Sequence, residues 1–110
     1  MSDTLYAALE NRGYKKVFMW SDDTLDASGA SVAYSKSVYD GIAQSFPSPH
    51  IVLNHETVET THSEVIPYAV PLLKNAGYDL VSVDVCLGSN GEWPYQWVSD
   101  PQQRDSTWHC

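Results

Sequence analysis

Two apolar runs in this sequence end in polar residues whose types could carry out acid–base chemistry. His55 follows the run Ile51–Leu53, and two aspartates, Asp23 and Asp26, follow the run Val17–Trp20. Such runs predict buried strands, and functional residues of α/β proteins lie at the carboxyl ends of strands. If the strands are neighbours, either aspartate could orient the imidazole and stabilise its protonated form, as a general acid requires. The alternative is that the aspartates cap the following helix and that His55 is an ordinary loop histidine.

The other chemistry-bearing residues match no familiar catalytic or metal-binding motif. His55 and His62 are seven residues apart, whereas the paired zinc ligands of a helical motif lie on adjacent turns. His50 and His109 have no evident partner in the sequence. The chain contains no nucleophile elbow and no phosphate-binding glycine loop. We therefore expect no metal site built from this chain alone.

Size and composition predict one small acidic domain. The chain has 110 residues, is 43% hydrophobic and has a formal net charge of −8. That charge argues against nucleic acid and anionic membranes as partners, because phosphate groups bind to clustered lysine and arginine. No apolar run approaches the roughly 20 residues of a membrane span, and no signal peptide is visible at the amino terminus.

Hydrophobic periodicity and turn residues predict three helices that alternate with three strands, an order typical of a parallel sheet. The helices are predicted to begin near Ser2, Ser31 and Thr61, and the strands to cover Tyr14–Trp20, His50–Asn54 and Asp79–Leu87. Asn11–Tyr14 and Asn75–Tyr78 each place a glycine helix stop before a tyrosine. This echo is typical of the repeated units of an α/β barrel, although helix-to-strand turns also converge on glycine independently.

The carboxyl-terminal part, predicted to be irregular from Gly88 onward, combines cysteines with aromatic residues. Cys86 and Cys110 are either two unrelated thiols or one disulfide that anchors the tail. A disulfide would indicate an oxidising compartment. The tail aromatics either cover the end of a sheet or stack on sugar rings: Trp93, Tyr95, Trp97 and Trp108.

Seven segments together resemble one protein family. Met19–Asp26 resembles the fourth motif of the NodB-type polysaccharide deacetylases, carbohydrate esterase family four, and Ile51–Glu56 resembles the fifth. The neighbouring segments agree in order and spacing: Gly29–Val32, Ile66–Val70, Ala76–Val83, Cys86–Gly88 and Arg104–Cys110. The last two are similar to the carboxyl end of fungal chitin deacetylases. The resemblance covers nearly the whole chain and depends on the combination of motifs that are each short.

This resemblance implies a distorted (β/α) barrel that removes acetyl groups from chitin-type or other polysaccharides, using a divalent metal such as zinc. It implies that His55 is the general acid that protonates the leaving amine, and that Asp23 is the carboxylate that tunes it. Leu53, which would line the pocket for the acetate methyl group, and Trp20 are the implied substrate-binding residues. A polysaccharide or glycan is the implied partner, and the implied location is extracellular.

The resemblance also implies that Cys86 and Cys110 form a disulfide, and it shows departures from the family. The first three family motifs, which carry the catalytic base and the metal ligands, do not occur within these 110 residues, and Ala27 stands where many bacterial members have a tryptophan. The chain thus resembles the carboxyl half of a deacetylase, about three β/α units in a single domain over residues 1–110. Without a metal to polarise the amide and activate water, we expect no normal deacetylase activity from the chain alone.

A partial barrel also has a physical consequence for partners. Parallel sheets normally have both faces covered by helices, and their edge strands are protected from pairing with other chains. We therefore expect a homo-oligomer or a complementing half. The alternative function is a non-catalytic protein that binds glycans or associates with itself through the apolar flank.

Overall fold

A computed structural model describes residues 2–86, 100 and 103–107 of the chain. The chain divides into two compact units, Met1–Leu80 and Val81–Cys110. The prediction of a single domain stays a prediction. In the first unit the order is α1, β1, a 3-10 turn, α2, β2, a π-helical turn and α3. Their bounds are Asp3–Asn11, Asp22–Asp23, Asp26–Ser28, Val32–Gln44, Val52–Leu53, Thr61–Val65 and Ile66–Ala76.

The two short strands of the first unit are parallel neighbours connected through helix α2. Asp22 pairs with Val52, and Asp23 pairs with Leu53. Just beyond the strand, Thr24 Oγ1 donates to the carbonyl of Leu53 at 2.9 Å, which extends the contact by one residue. The structure thus confirms the prediction of a mixed helix and sheet fold with parallel strands. The described residues form two strands, so they do not show the predicted partial barrel of three units.

The first strand is shorter and later in the sequence than the predicted strand Tyr14–Trp20. The observed pairing, continued backwards, would place Met19 opposite Pro49 and Val17 opposite Pro47. Proline has no backbone N–H to donate to a sheet. The pairing therefore begins only after these prolines, and residues 14–20 have no assigned helix or strand.

The core of the first unit lies between α2 and the helical segment that leads into α3. Tyr39 and Ile42 of α2 pack against Val65, Ala69 and Leu73, and all five side chains are buried. Burying a large aliphatic side chain contributes roughly 1.5–3 kcal/mol, so this small cluster accounts for much of the apolar driving force that holds α2 and α3 together. Helix α1 differs, because none of its residues is buried.

The second unit contradicts the third predicted strand. Val83–Cys86 forms a short helix, α4, in which the Cys86 N–H donates to the carbonyl of Ser82 at 2.9 Å. Valine-rich sequence becomes a strand only where a neighbouring strand supplies hydrogen-bond partners, and none does so in the described part of the chain. Cys86 is exposed and carries no disulfide, while Cys110 lies outside the described residues.

Among the helices that the structure describes, none is long and apolar enough to cross a membrane.

We expect Gly77→Ala to destabilise the first unit by about 2–3 kcal/mol and Gly13→Ala by about 1–2 kcal/mol. Both glycines have a positive φ, 107° and 85°, which is costly for alanine. A Cβ at Gly77 would also lie 3.0 Å from the ring of Phe46, whereas a Cβ at Gly13 would meet nothing within 4 Å. Urea unfolding of the two variants measures the difference, and equal losses would contradict this account.

Candidate functional site

Asp26 and His55 form the most tightly connected polar pair near the strand ends. Asp26 Oδ1 lies 2.8 Å from His55 Nδ1, and Asp26 Oδ2 accepts the backbone N–H of His55 at 2.8 Å. The carboxylate therefore holds the ring and the main chain of the histidine at the same time. Because His55 follows β2 and Asp26 follows β1, the parallel pairing of the strands brings them together, as the sequence predicted for an aspartate and this histidine.

The backbone conformation of the residues before Asp26 directs its side chain towards His55, which follows β2. Asp23 Oδ1 accepts the N–H of Leu25 at 2.9 Å, and Leu25 adopts a left-handed conformation with φ 52°. This reversal leads into the 3-10 turn that begins at Asp26. Aspartate side chains favour such turns because they bond to the backbone two residues later.

The carboxylate of Asp26 is nearly fully satisfied. Besides the two bonds from His55, Oδ1 accepts the N–H of Ala27 at 2.8 Å, and Oδ2 accepts Thr61 Oγ1 at 2.7 Å. Burial alone would raise the pKa of Asp26, which is 9% exposed, but these hydrogen bonds outweigh burial and hold the pKa well below its ordinary value. Asp26 is therefore a carboxylate throughout the neutral and mildly acidic range.

An ionised carboxylate determines which nitrogen of His55 carries a proton. A carboxylate can only accept, so the short contact requires the hydrogen on Nδ1. Nε2 is on the opposite side of the ring, and the side chain is 42% exposed. The pair can therefore present Nε2 to a reacting group, with Asp26 fixing the orientation of the ring.

The structure replaces Asp23 by Asp26 as the partner of His55. Among the contacts of the described residues, none joins Asp23 to His55, since Asp23 accepts from the Leu25 backbone instead. The register of the two strands indicates why Asp26, and not Asp23, is the partner of His55. With Asp23 level with Leu53, the residue level with His55 is Leu25, directly before Asp26.

Two further residues take part in this site. Thr61, near which the third helix was predicted to begin, follows residues that are already helical, and its hydroxyl bonds to Asp26. Tyr39 was not expected near the site at all. Its hydroxyl accepts from Asn54 Nδ2 at 2.6 Å, and burial together with the charge of Asp26 raises the pKa of Tyr39.

The predicted substrate-binding residues lie on different parts of the strand region. Leu53 is half-buried in β2, two residues before His55, and Trp20 is exposed just before β1. A cavity of about 300 Å³ between α1 and residues 14–17 includes neither of them, nor Asp23 or His55, among its lining residues. The roles of Leu53 and Trp20 in substrate binding stay predictions.

A second histidine cluster was missed by sequence reasoning, which found no partner for His50. His50 Nδ1 lies 2.7 Å from Asp22 Oδ2, and Nε2 lies 2.7 Å from Ser45 Oγ. Ser45 Oγ also donates to the carbonyl of Ile42 at 2.8 Å at the end of α2. This cluster therefore connects the end of α2 to β1. Burial raises the pKa of Asp22, but the bonds from Ser21 and His50 outweigh it and lower the pKa overall.

The residues that the structure describes do not fit the divalent metal that the resemblance implies. No group of three or more histidine, cysteine, aspartate or glutamate side chains in the described ranges is arranged to hold an ion. His62 is exposed on the π-helical turn, while the Nδ1 of His55 is bonded to Asp26. With Nδ1 engaged by Asp26, Nε2 is the ring nitrogen of His55 that could meet another group.

Comparison with models of known protein families gives no match to this sequence, and comparison with curated proteins gives none either.

Proposed function

We propose that this chain supplies the acid half of a polysaccharide deacetylase site. The observation that carries the proposal is the Asp26–His55 pair after two adjacent parallel strands, with two 2.8 Å contacts between the carboxylate and the histidine. The motif resemblance points to the same histidine as the general acid. Asp26 takes the tuning role that the resemblance placed on Asp23.

The chemistry assigned to these residues is a single proton transfer. When the carbon–nitrogen bond of an N-acetyl group breaks, the bonding electrons stay on nitrogen, and the amine cannot leave efficiently until it gains a proton. His55 in its imidazolium form donates the proton from Nε2 and becomes neutral. Asp26 holds the ring in place through its contact with Nδ1 before and after the transfer. Such an acid typically contributes about 10²–10⁴-fold to the rate.

The proposal includes the finer architecture. The β1–α2–β2 unit has the strand–helix–strand order of a (β/α) barrel unit. We assign it to a partial barrel of about three such units, whose strand ends form the side of the cleft that carries the general acid. Leu53 and Trp20 belong to the substrate-binding surface of that cleft. The base and the metal ligands belong to a complementing half, because the motifs that carry them do not occur within these 110 residues.

The substrate class and location follow from the same proposal. An acetylated glycan, of chitin type or another polysaccharide, is the partner, and the protein acts outside the cell.

The decisive experiment measures acetate released from N-acetylglucosamine oligomers. We expect none from the chain alone, with or without added zinc. We expect release when the chain is combined with an amino-terminal deacetylase half that carries the first three motifs, and loss of that release with a chelator. Acetate released by the chain alone and abolished in His55→Ala would contradict the half-site proposal. A co-purifying, folded combination that releases no acetate would contradict the deacetylase assignment.

A further inference from the structure

We propose that two copies of this chain associate edge to edge through residues 15–23, which pair antiparallel about Met19. We call residues 15–23 the edge segment. The proposal is independent of the deacetylase assignment, because it depends only on exposure, backbone pairing and the order of charges along this segment.

The edge segment has an unusually apolar exposed surface. Val17, Phe18, Met19 and Trp20 are 39%, 44%, 49% and 46% exposed, respectively. Successive side chains of a strand point to opposite faces, so four consecutive exposed apolar residues leave both faces of such a strand open to solvent. Contiguous apolar surface of this kind in a protein domain marks an interaction site.

The backbone of this segment also has hydrogen-bonding groups to offer. β2 is the one neighbour of β1 in the described part of the chain, and Pro47 and Pro49 prevent the pairing from continuing towards residue 17. Within the described ranges, no backbone hydrogen bond engages residues 17–20. An exposed edge with free N–H and C=O groups is a template for another strand.

The orientation of β1 limits the possible registers. Asp22 and Thr24 donate their N–H groups to β2, so Asp23 between them faces the opposite, open edge. In an antiparallel pair, a residue whose N–H and C=O point towards the partner strand lies opposite a residue whose N–H and C=O point back towards it. Ser21 also directs its N–H to Ile51, at 2.8 Å, so the alternation is interrupted there, and the proposal includes a regular strand once the pair forms. Odd-numbered residues then lie opposite odd-numbered ones, which places the two-fold axis at a residue.

One allowed register is self-complementary in charge and in aromatic contacts. With the axis at Met19, Lys15 lies opposite Asp23, and Phe18 lies opposite Trp20, twice in each case. Opposite charges and aromatic pairs directly across two strands are stabilising. Axes at Phe18 or Trp20 separate Lys15 from Asp23, and a parallel in-register pair would place Lys15 beside Lys15.

The remaining pairs are compatible with this register. Lys16 lies opposite Asp22, whose carboxylate is already bonded to Ser21 and His50, so the register does not depend on this pair. Val17 lies opposite Ser21, whose N–H is already directed to Ile51 at 2.8 Å, so that pair forms one bond fewer than an ideal one. The chain has a net charge of −8, which repels a second copy at long range. Association therefore requires this local pairing of unlike charges, and a second copy satisfies it without any other partner.

The test is a charge-swap cycle measured by sedimentation equilibrium at low salt. We expect the unaltered chain to form dimers, and Lys15→Asp and Asp23→Lys each to weaken the dimer at least tenfold. The double variant, which restores unlike charges across the axis, should recover most of that loss. Lys74→Asp is the matched control, because it makes the same charge change at an exposed position of α3 and should leave the dimer intact.

A second measurement guards against misfolding of the charge variants. In a background with both native cysteines replaced by serine, Met19→Cys should form an inter-chain disulfide readily under mild oxidation, because the two copies meet at that residue. Val17→Cys, which lies opposite Ser21, should form far less. A monomer at all concentrations, equal cross-linking of the two cysteine variants, or a dimer that neither charge variant weakens would each overturn the proposal.

Discussion

Asp26→Ala is expected to lower the free energy of unfolding of the first unit by about 3 kcal/mol. The substitution removes four hydrogen bonds at once, from the side chain and backbone of His55, from Thr61 and from Ala27. Thr61 is 2% exposed, so its hydroxyl would lose its partner inside the protein, where water cannot replace it. Urea unfolding at neutral pH measures the change.

Asp23→Ala is the matched control for that substitution. It removes the same side chain three residues earlier in the sequence, but its Oδ1 has one hydrogen bond, from the Leu25 backbone in an exposed turn. We expect a loss of about 1 kcal/mol or less. If the two variants lost equal stability, or Asp23→Ala lost more, the assignment of Asp26 as the central carboxylate would be wrong.

Acid titration of stability provides an independent readout of the same residue. The folded pKa of Asp26 lies below its unfolded value of about 4, so below that pH the unfolded state binds more protons. Its contribution is therefore complete above about pH 5 and is lost progressively as the pH falls further. Asp26→Asn should make the unfolding free energy fall less steeply between pH 5 and pH 3 than in the unaltered chain. Some slope should remain, because the pKa of Asp22 is lowered too.

Local sequence signals were sufficient for part of this fold. Helix α2 has Ser31 as its cap, and that hydroxyl accepts the N–H of Tyr34 at 3.2 Å. The strand that ends near His55 and the parallel pairing were also predictable, because apolar runs between helices have few other solutions. The cap and the strand depend on residues close together in sequence, while the parallel order follows from the alternation of helices and strands.

The features that sequence reasoning missed depend on register and on distant neighbours. Choosing Asp26 over Asp23 required the left-handed turn at Leu25 and the pairing of Asp23 with Leu53. The third strand failed because Val83–Cys86 has no pairing partner among the described residues. Neither fact is encoded within a short window of sequence.

The two glycine helix stops show how far local sequence predicts structure. Gly13 and Gly77 both end helices with a positive φ, as the echo predicted. The tyrosines that follow them differ. Tyr78 donates to the carbonyl of Ser48 at 2.8 Å and packs against Phe46, whereas Tyr14 is largely exposed. The two similar local sequences therefore specify similar turns, whereas the contacts of each tyrosine depend on the residues around it.

His55→Ala is expected to lower acetate release from an N-acetyl substrate by about 10²–10⁴-fold in the assembly that contains the complementing half. The substitution removes the imidazole but keeps the backbone N–H that bonds to Asp26. The loss should therefore report on proton donation more than on the position of the loop. His62→Ala is the matched control, because His62 is exposed on the π-helical turn and should change the rate little.

The leaving group distinguishes a general acid from a residue that only supports the structure. An amine must be protonated as it departs, whereas a nitrophenolate departs as a stable anion and needs no proton. His55→Ala should consequently impair release from the N-acetyl substrate far more than from a nitrophenyl acetate. An equal loss with both substrates would assign His55 a structural role, since a displaced loop would impair both. A full rate with the N-acetyl substrate would place the acid on another residue.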